Sequence, residues 1–204
     1  MFDKPLLSVD NWPVLVISIG MVAAGIIDWW KFKVPNKLTF SIIVTGWLLG
    51  LANNIGLDAG VGGIGSALFG TFLGFILLIP VYAIGGMGAG DVKMTMGFGA
   101  WIGAFYGINT GADIDGASII FWAFLCGVMA GGVIGLGMIL VRGQYQQNAQ
   151  HVREIVGDMF KAKSIGEVAD KANARRPRWH RLPYGVPLCI GFLGYLTYIH
   201  NFNF

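Results

Sequence analysis

Six runs of mostly apolar residues, separated by short polar breaks, leave this chain few ways to fold. They cover about Pro13 to Trp30, Leu38 to Asn53, Gly62 to Ala83, Val92 to Ile108, Ala117 to Val141 and Val186 to Tyr198. A helix needs about 17 to 25 apolar residues to cross a bilayer, and within lipid only helices and closed barrels satisfy their own backbone groups. The residues are 55% hydrophobic and 12% charged, against about 25% charged in soluble domains. The apolar residues come in blocks, not at amphipathic spacing. These features predict an all-α integral membrane protein, a bundle of six transmembrane helices, and one membrane-embedded domain over 1–204.

The charges predict the orientation. Of the 14 Lys and Arg residues, 13 fall on one side of such a bundle: Lys31, Lys33 and Lys37 after the first run, Lys93 after the third, and nine more after the fifth. The other side carries Lys4 with Asp3, Asp10, Asp58, Asp113 and Asp115. The positive-inside rule makes the basic side cytoplasmic, with both termini extracytoplasmic. No cleavable signal peptide is expected, since Met1 to Trp12 is short and its acids offset Lys4; the first run is expected to act as an uncleaved anchor.

The segment 142–183 is the one substantial polar stretch, a basic cytoplasmic loop between helices five and six. Within it, Val152, Ile155, Val156, Met159 and Phe160 keep the spacing of an amphipathic helix over Gln144 to Lys163. Two readings stand: a helix on the membrane surface, where basic residues meet anionic lipid, or a solvated helix packed on the bundle. Glycine, 32 of 204 residues, repeats every four positions at Gly70 and Gly74, at Gly99, Gly103 and Gly107, and at Gly127, Gly131 and Gly135. Such faces predict closely seated helices. Cys126 and Cys189 lie in apolar runs and read as small hydrophobes. His151, His180 and His200 are scattered, so no metal site and no cofactor is expected, and nothing points to nucleic acid.

Two acids stand apart. Asp28 closes the first apolar run, and Asp91 sits in Gly88-Ala89-Gly90-Asp91-Val92-Lys93 at the start of the fourth. An acid at a helix centre in lipid costs roughly 2.5 to 3.5 kcal/mol on insertion scales, which makes such a residue a functional candidate by default. The charge map puts both on the cytoplasmic face at one depth. The plainer readings are an N-cap for Asp91 and an ion pair with Lys31 or Lys33 for Asp28. Lys93 reads as a cytoplasmic anchor or as an orienter of Asp91. Pro35 and Asn36 read as shaping the turn after the first run, with Asn36 a candidate cap for the second helix.

Three pieces together resemble a known family. Asp28 is followed by Val34-Pro35-Asn36, the second piece is Gly88-x-Gly90-Asp91-x-Lys93, and Leu182-Pro183-Tyr184-Gly185 enters the last run. In this order they resemble the type IV prepilin peptidases, GxGD membrane aspartyl proteases, over nearly the whole chain. Larger members carry an N-terminal insertion with paired CxxC motifs and also methylate the new N-terminus; this chain has neither the insertion nor those cysteines. The resemblance is thus to the short, peptidase-only, CpaA-like branch of Tad/Flp pilus systems, and methyl transfer is not implied. It implies catalysis by Asp28 and Asp91, with Gly88, Gly90, Lys93, Pro35, Asn36, Pro183, Tyr184 and Gly185 as supporting motif residues. It also implies a prepilin substrate with a short cytoplasmic leader and an apolar helix, and a location in the bacterial inner membrane. The competing class is a proton- or cation-coupled transporter using the same two acids, which would normally spread its acids across the membrane depth. A non-catalytic assembly factor is a third class, against which retention of both acids argues.

Overall fold

The computed structural model describes residues 9–31, 33–57, 59–83, 87–108, 110–111, 114–142 and 184–201. Among them each apolar run is a helix: Trp12–Lys31 (α1), Asn36–Asn54 (α2), Ile64–Ala83 (α3), Ala89–Tyr106 (α4), Gly116–Arg142 (α5) and Gly185–Asn201 (α6), with a 3₁₀ turn at Val9–Asn11 before α1. Every boundary lies within three residues of its run. The expected amphipathic helix over Gln144 to Lys163, the rest of the basic loop, Pro183, His151 and His180 lie outside the described residues.

α1, α3 and the Gly116–Met138 part of α5 are long and apolar enough to cross a membrane. Their outward faces suit lipid rather than water: Ile19, Ile26, Phe72, Met129, Val133, Leu136 and Leu140 are all exposed. α4 is different in kind. From Asp91 on, nearly all of its side chains are buried, and it packs against each of the other five helices, most extensively α3 and α2. A helix enclosed by protein need not be apolar toward lipid, so α4 accommodates an acid, a lysine and four glycines. Around it, α5 pairs with α6, α6 with α1, and α2 with α3.

The glycine repeats divide on inspection. A Cβ at Gly70 would fall on the Gly99 carbonyl, one at Gly103 on the Ser66 carbonyl, and one at Gly74 would lie 2.5 Å from the Thr95 oxygen. α3 and α4 therefore meet backbone to backbone. On α5, Gly127 abuts Gly191 of α6, and a Cβ at Gly131 would stand 3.4 Å from Pro187. Two members of the repeats do something else. Gly107 is the C-cap of α4, with φ +73°, and Gly135 faces open space.

The end away from Asp28 and Asp91 is tied by polar bonds. Asn53 donates to the carbonyls of Gly62 (2.8 Å) and Ala104 (2.9 Å). Asp115 caps α5 by accepting the Ser118 N–H at 2.9 Å. Tyr106 Oη lies 2.6 Å from His200 Nε2, and Asn11 Nδ2 lies 3.4 Å from His200 Nδ1, joining the start of α1 to the ends of α4 and α6.

Candidate active site

Asp28 lies where it does because α1 is a one-faced helix. Val14, Ile17, Met21, Ala24, Gly25 and Asp28 form its buried stripe, at the three- and four-residue spacing of a single helical face. Asp28 continues that stripe and is 5% exposed, while Trp29 and Trp30 beside it are 61% and 80% exposed, as boundary-anchoring aromatics would be. Asp28 makes no ion pair with Lys31 or Lys33. Its Oδ2 instead accepts the Gly185 N–H at 2.8 Å, from the first residue of α6.

Asp91 is held from within its own helix. α4 starts at Ala89 with Gly88 as its N-cap, so Asp91 is not the cap residue but the third residue of the first turn. From there its Oδ2 accepts the Gly88 N–H at 3.0 Å, one of the donors a helix start leaves unpaired. The position also favours negative charge, because the helix dipole is positive there. Asp91 is 5% exposed. Its other oxygen, Oδ1, is buried and accepts no hydrogen bond among the described residues.

The two acids come from helices distant in sequence, yet Asp28 is near enough for its charge to act on Asp91. The accompanying motif residues converge on them. A Cβ on Gly90 would lie 3.2 Å from Val34 Cβ and 3.4 Å from the Val34 backbone, so the glycine lets the first turn of α4 lie against the Val34-Pro35-Asn36 bend. Tyr184, half-buried against the core, is within electrostatic reach of Asp91; burial first, and then that charge, hold its phenol above the ordinary tyrosine value. Gly185 sits against the side chain of Asp28.

Two motif residues play parts other than those expected. Asn36 does not cap α2: Pro35 occupies the cap position and supplies no side-chain bond, while Asn36 is already helical. The Asn36 Oδ1 instead accepts a hydrogen bond from Lys93 Nζ at 3.0 Å, and Lys93 passes 4.8 Å from the Phe40 ring centre. Lys93 therefore fastens α4 to α2 and does not bond Asp91. Among the described residues no group of three His, Cys, Asp or Glu side chains is placed to hold a metal, and both cysteines are free.

Sequence reasoning did not reach the backbone donors. Nothing in a residue's identity signals that its N–H will meet a carboxylate, and only the glycine at 88 and at 185 hinted at it. It also passed over the His200, Tyr106 and Asn11 cluster, whose members lie at three different places in the chain.

The family model described as the type IV leader peptidase family matches residues 15–140, more than half of the chain and both acids included. The chain belongs to the type IV leader peptidase family. Curated relatives named prepilin leader peptidase/N-methyltransferase, from Aeromonas salmonicida and Aeromonas hydrophila, are 27% identical over 139 residues. That match covers 65% of this chain and 41% of each relative, so the chain spans well under half the length of the curated relatives it matches. No solved structure matches.

Proposed function

We propose that the chain is a membrane aspartyl endopeptidase that removes the short cytoplasmic leader from type IV or Flp-type prepilins, with Asp28 and Asp91 activating water. One observation carries this reading. Two buried carboxylates from distant helices lie at one end of the bundle, within electrostatic reach of each other and each tied through one oxygen to a backbone N–H. Family membership and the printed name of the relatives support it.

The chemistry follows from the pairing. Two carboxylates that share a site resist ionising together, so one proton is held between them and they titrate as a unit. The ionised member takes a proton from water as that water attacks the scissile carbonyl. The protonated member hydrogen-bonds the carbonyl oxygen and then protonates the leaving amine. The hydrogen bonds from Gly88 and Gly185 fix one oxygen of each acid, and Asp91 Oδ1 remains available for the shared proton.

In this reading all six helices cross the bacterial inner membrane and 1–204 forms one peptidase domain. The acids lie at the cytoplasmic face, and the 142–183 loop meets anionic lipid on that side. The enzyme belongs to the short CpaA-like branch, for which methyl transfer is not implied. A cytoplasmic-face site suits a bond at the boundary between a polar leader and an apolar helix, which the substrate keeps in the bilayer. Among the described residues Asp28 and Asp91 are the only buried acids, and both lie at one end, which favours a hydrolytic pair over a relay across the membrane.

The test is co-expression with a Flp-type prepilin, following loss of the leader by gel shift. Wild type cleaves; Asp28→Asn and Asp91→Asn each lose about 10²-fold or more, the scale of acid–base catalysis. Asn keeps the shape and cannot share the proton. Full processing by either variant sinks the two-aspartate mechanism. Absence of cleavage by wild type, with proton flux in proteoliposomes that depends on both acids, favours the transporter.

A further inference from the structure

The last helix begins at the acid pair. Gly185, its first residue, gives its N–H to Asp28. It lies beyond residue 140, where the family match ends. The fit at Gly185 is close: a Cβ there would lie 2.9 Å from Asp28 Oδ2, 3.1 Å from its Cγ and 3.0 Å from its Cβ. Two of those three atoms belong to the carboxylate, which the hydrogen bond from the Gly185 N–H holds in place. The approach continues one turn on, where a Cβ at Gly25 would meet Cys189 Cβ at 3.3 Å and the Gly185 carbonyl at 3.7 Å. α6 is therefore seated on α1 over two turns, which fixes where the Gly185 N–H points.

We propose that Gly185 is a positioning residue for the acid pair: its N–H orients the Asp28 carboxylate, and the seating of α6 on α1 leaves no room there for a side chain. This rests on the peptidase reading only for its kinetic consequence; the geometry stands apart from it. Gly88 does for Asp91 what Gly185 does for Asp28, one backbone N–H to one oxygen. Each acid then keeps its second oxygen for chemistry.

Two measurements test this. The first ignores cleavage: unfolding in detergent of wild type, Gly185→Ala, Asp28→Ala and the double variant. The added methyl presses mainly on the Asp28 side chain, so it lowers the folded-to-unfolded ratio at least tenfold in the wild-type background and at least threefold less when Asp28 is Ala. Equal losses in the two backgrounds overturn the contact. If Gly185→Ala alone does not accumulate, recovery in the Asp28→Ala background supports it, and failure to recover overturns it. The second is prepilin cleavage by the folded fraction of Gly185→Ala. A positioning role lowers kcat at least tenfold with KM within twofold. A rise in KM with kcat unchanged makes Gly185 a substrate contact and overturns the positioning role. A chain that cuts no prepilin removes the peptidase reading and leaves the unfolding cycle to decide the contact.

Discussion

Replacing Gly74 by Ala adds one methyl where α3 crosses α4, one turn from Asp91. That methyl carbon would lie 2.5 Å from the Thr95 oxygen and 2.9 Å from the Thr95 carbonyl carbon. Ordinary van der Waals contact needs about 3.5 Å, so the two helices must part locally by about 1 Å. The obstacle is backbone and has no rotamer to escape into. Overpacking of this kind costs about 1–3 kcal/mol, and about 2 kcal/mol is a thirtyfold fall in the folded-to-unfolded ratio. Thr95 also bonds the carbonyl of Asp91 through its hydroxyl, at 3.1 Å, so its displacement carries to the acid. A misplacement of about 1 Å is worth about 10²-fold in rate, and prepilin cleavage should fall by that order even in the folded fraction. Gly132→Ala is the control, because no atom lies within 4 Å of a Cβ there. It should be neutral, or gain up to about 1 kcal/mol from helix propensity. Unfolding of both variants in detergent, read beside the cleavage gel, decides the matter. Wild-type stability and full cleavage in Gly74→Ala would refute the argument, as would a loss in Gly132→Ala equal to that in Gly74→Ala.

Other expectations follow from the same contacts. Tyr106→Phe removes the bond to His200 and should cost about 1–2 kcal/mol of stability, while cleavage by the folded protein stays within threefold of wild type, because the bond lies at the far end of the bundle; unfolding and gel shift measure the two separately. Asn36→Ala breaks the exposed bond from Lys93 and should cost no more than about 1 kcal/mol, with a loss of cleavage well short of that in Asp28→Asn. Cleavage rate against pH should be bell-shaped, since one acid must be ionised and its partner protonated. A flat profile between pH 4 and 9 in a purified system would speak against a shared proton.

The helices were legible because an apolar run has a length that can be counted, and the runs agree with α1 to α6 closely. Where reading and structure part, the cause is local. The fourth run was read from Val92, but Gly88 is already the N-cap and Ala89 to Asp91 wind into the first turn of α4. Asn36 read as a cap because its side chain is suited to that task; Pro35 took the cap position and left the amide free for Lys93. Gly107 and Gly135 fit a four-residue repeat, yet one turns the chain at positive φ and the other faces outward, since spacing says nothing of what lies opposite. Asp28 and Asp91 were legible as costly acids on one face. Their partners were not, because the donors are main-chain groups of Gly88 and Gly185 whose targets depend on how helices pack.

The place of α4 has a consequence for how the molecule is made. It is fourth in order of synthesis and central in space, so three of its neighbours emerge before it and two after. Asp28 leaves the ribosome first, Asp91 later, and the Gly185 N–H that holds Asp28 last of all. A nascent chain stalled anywhere before α6 holds both acids without that donor. The arrangement around Asp28 is thus complete only once α6 has been made and has packed on α1.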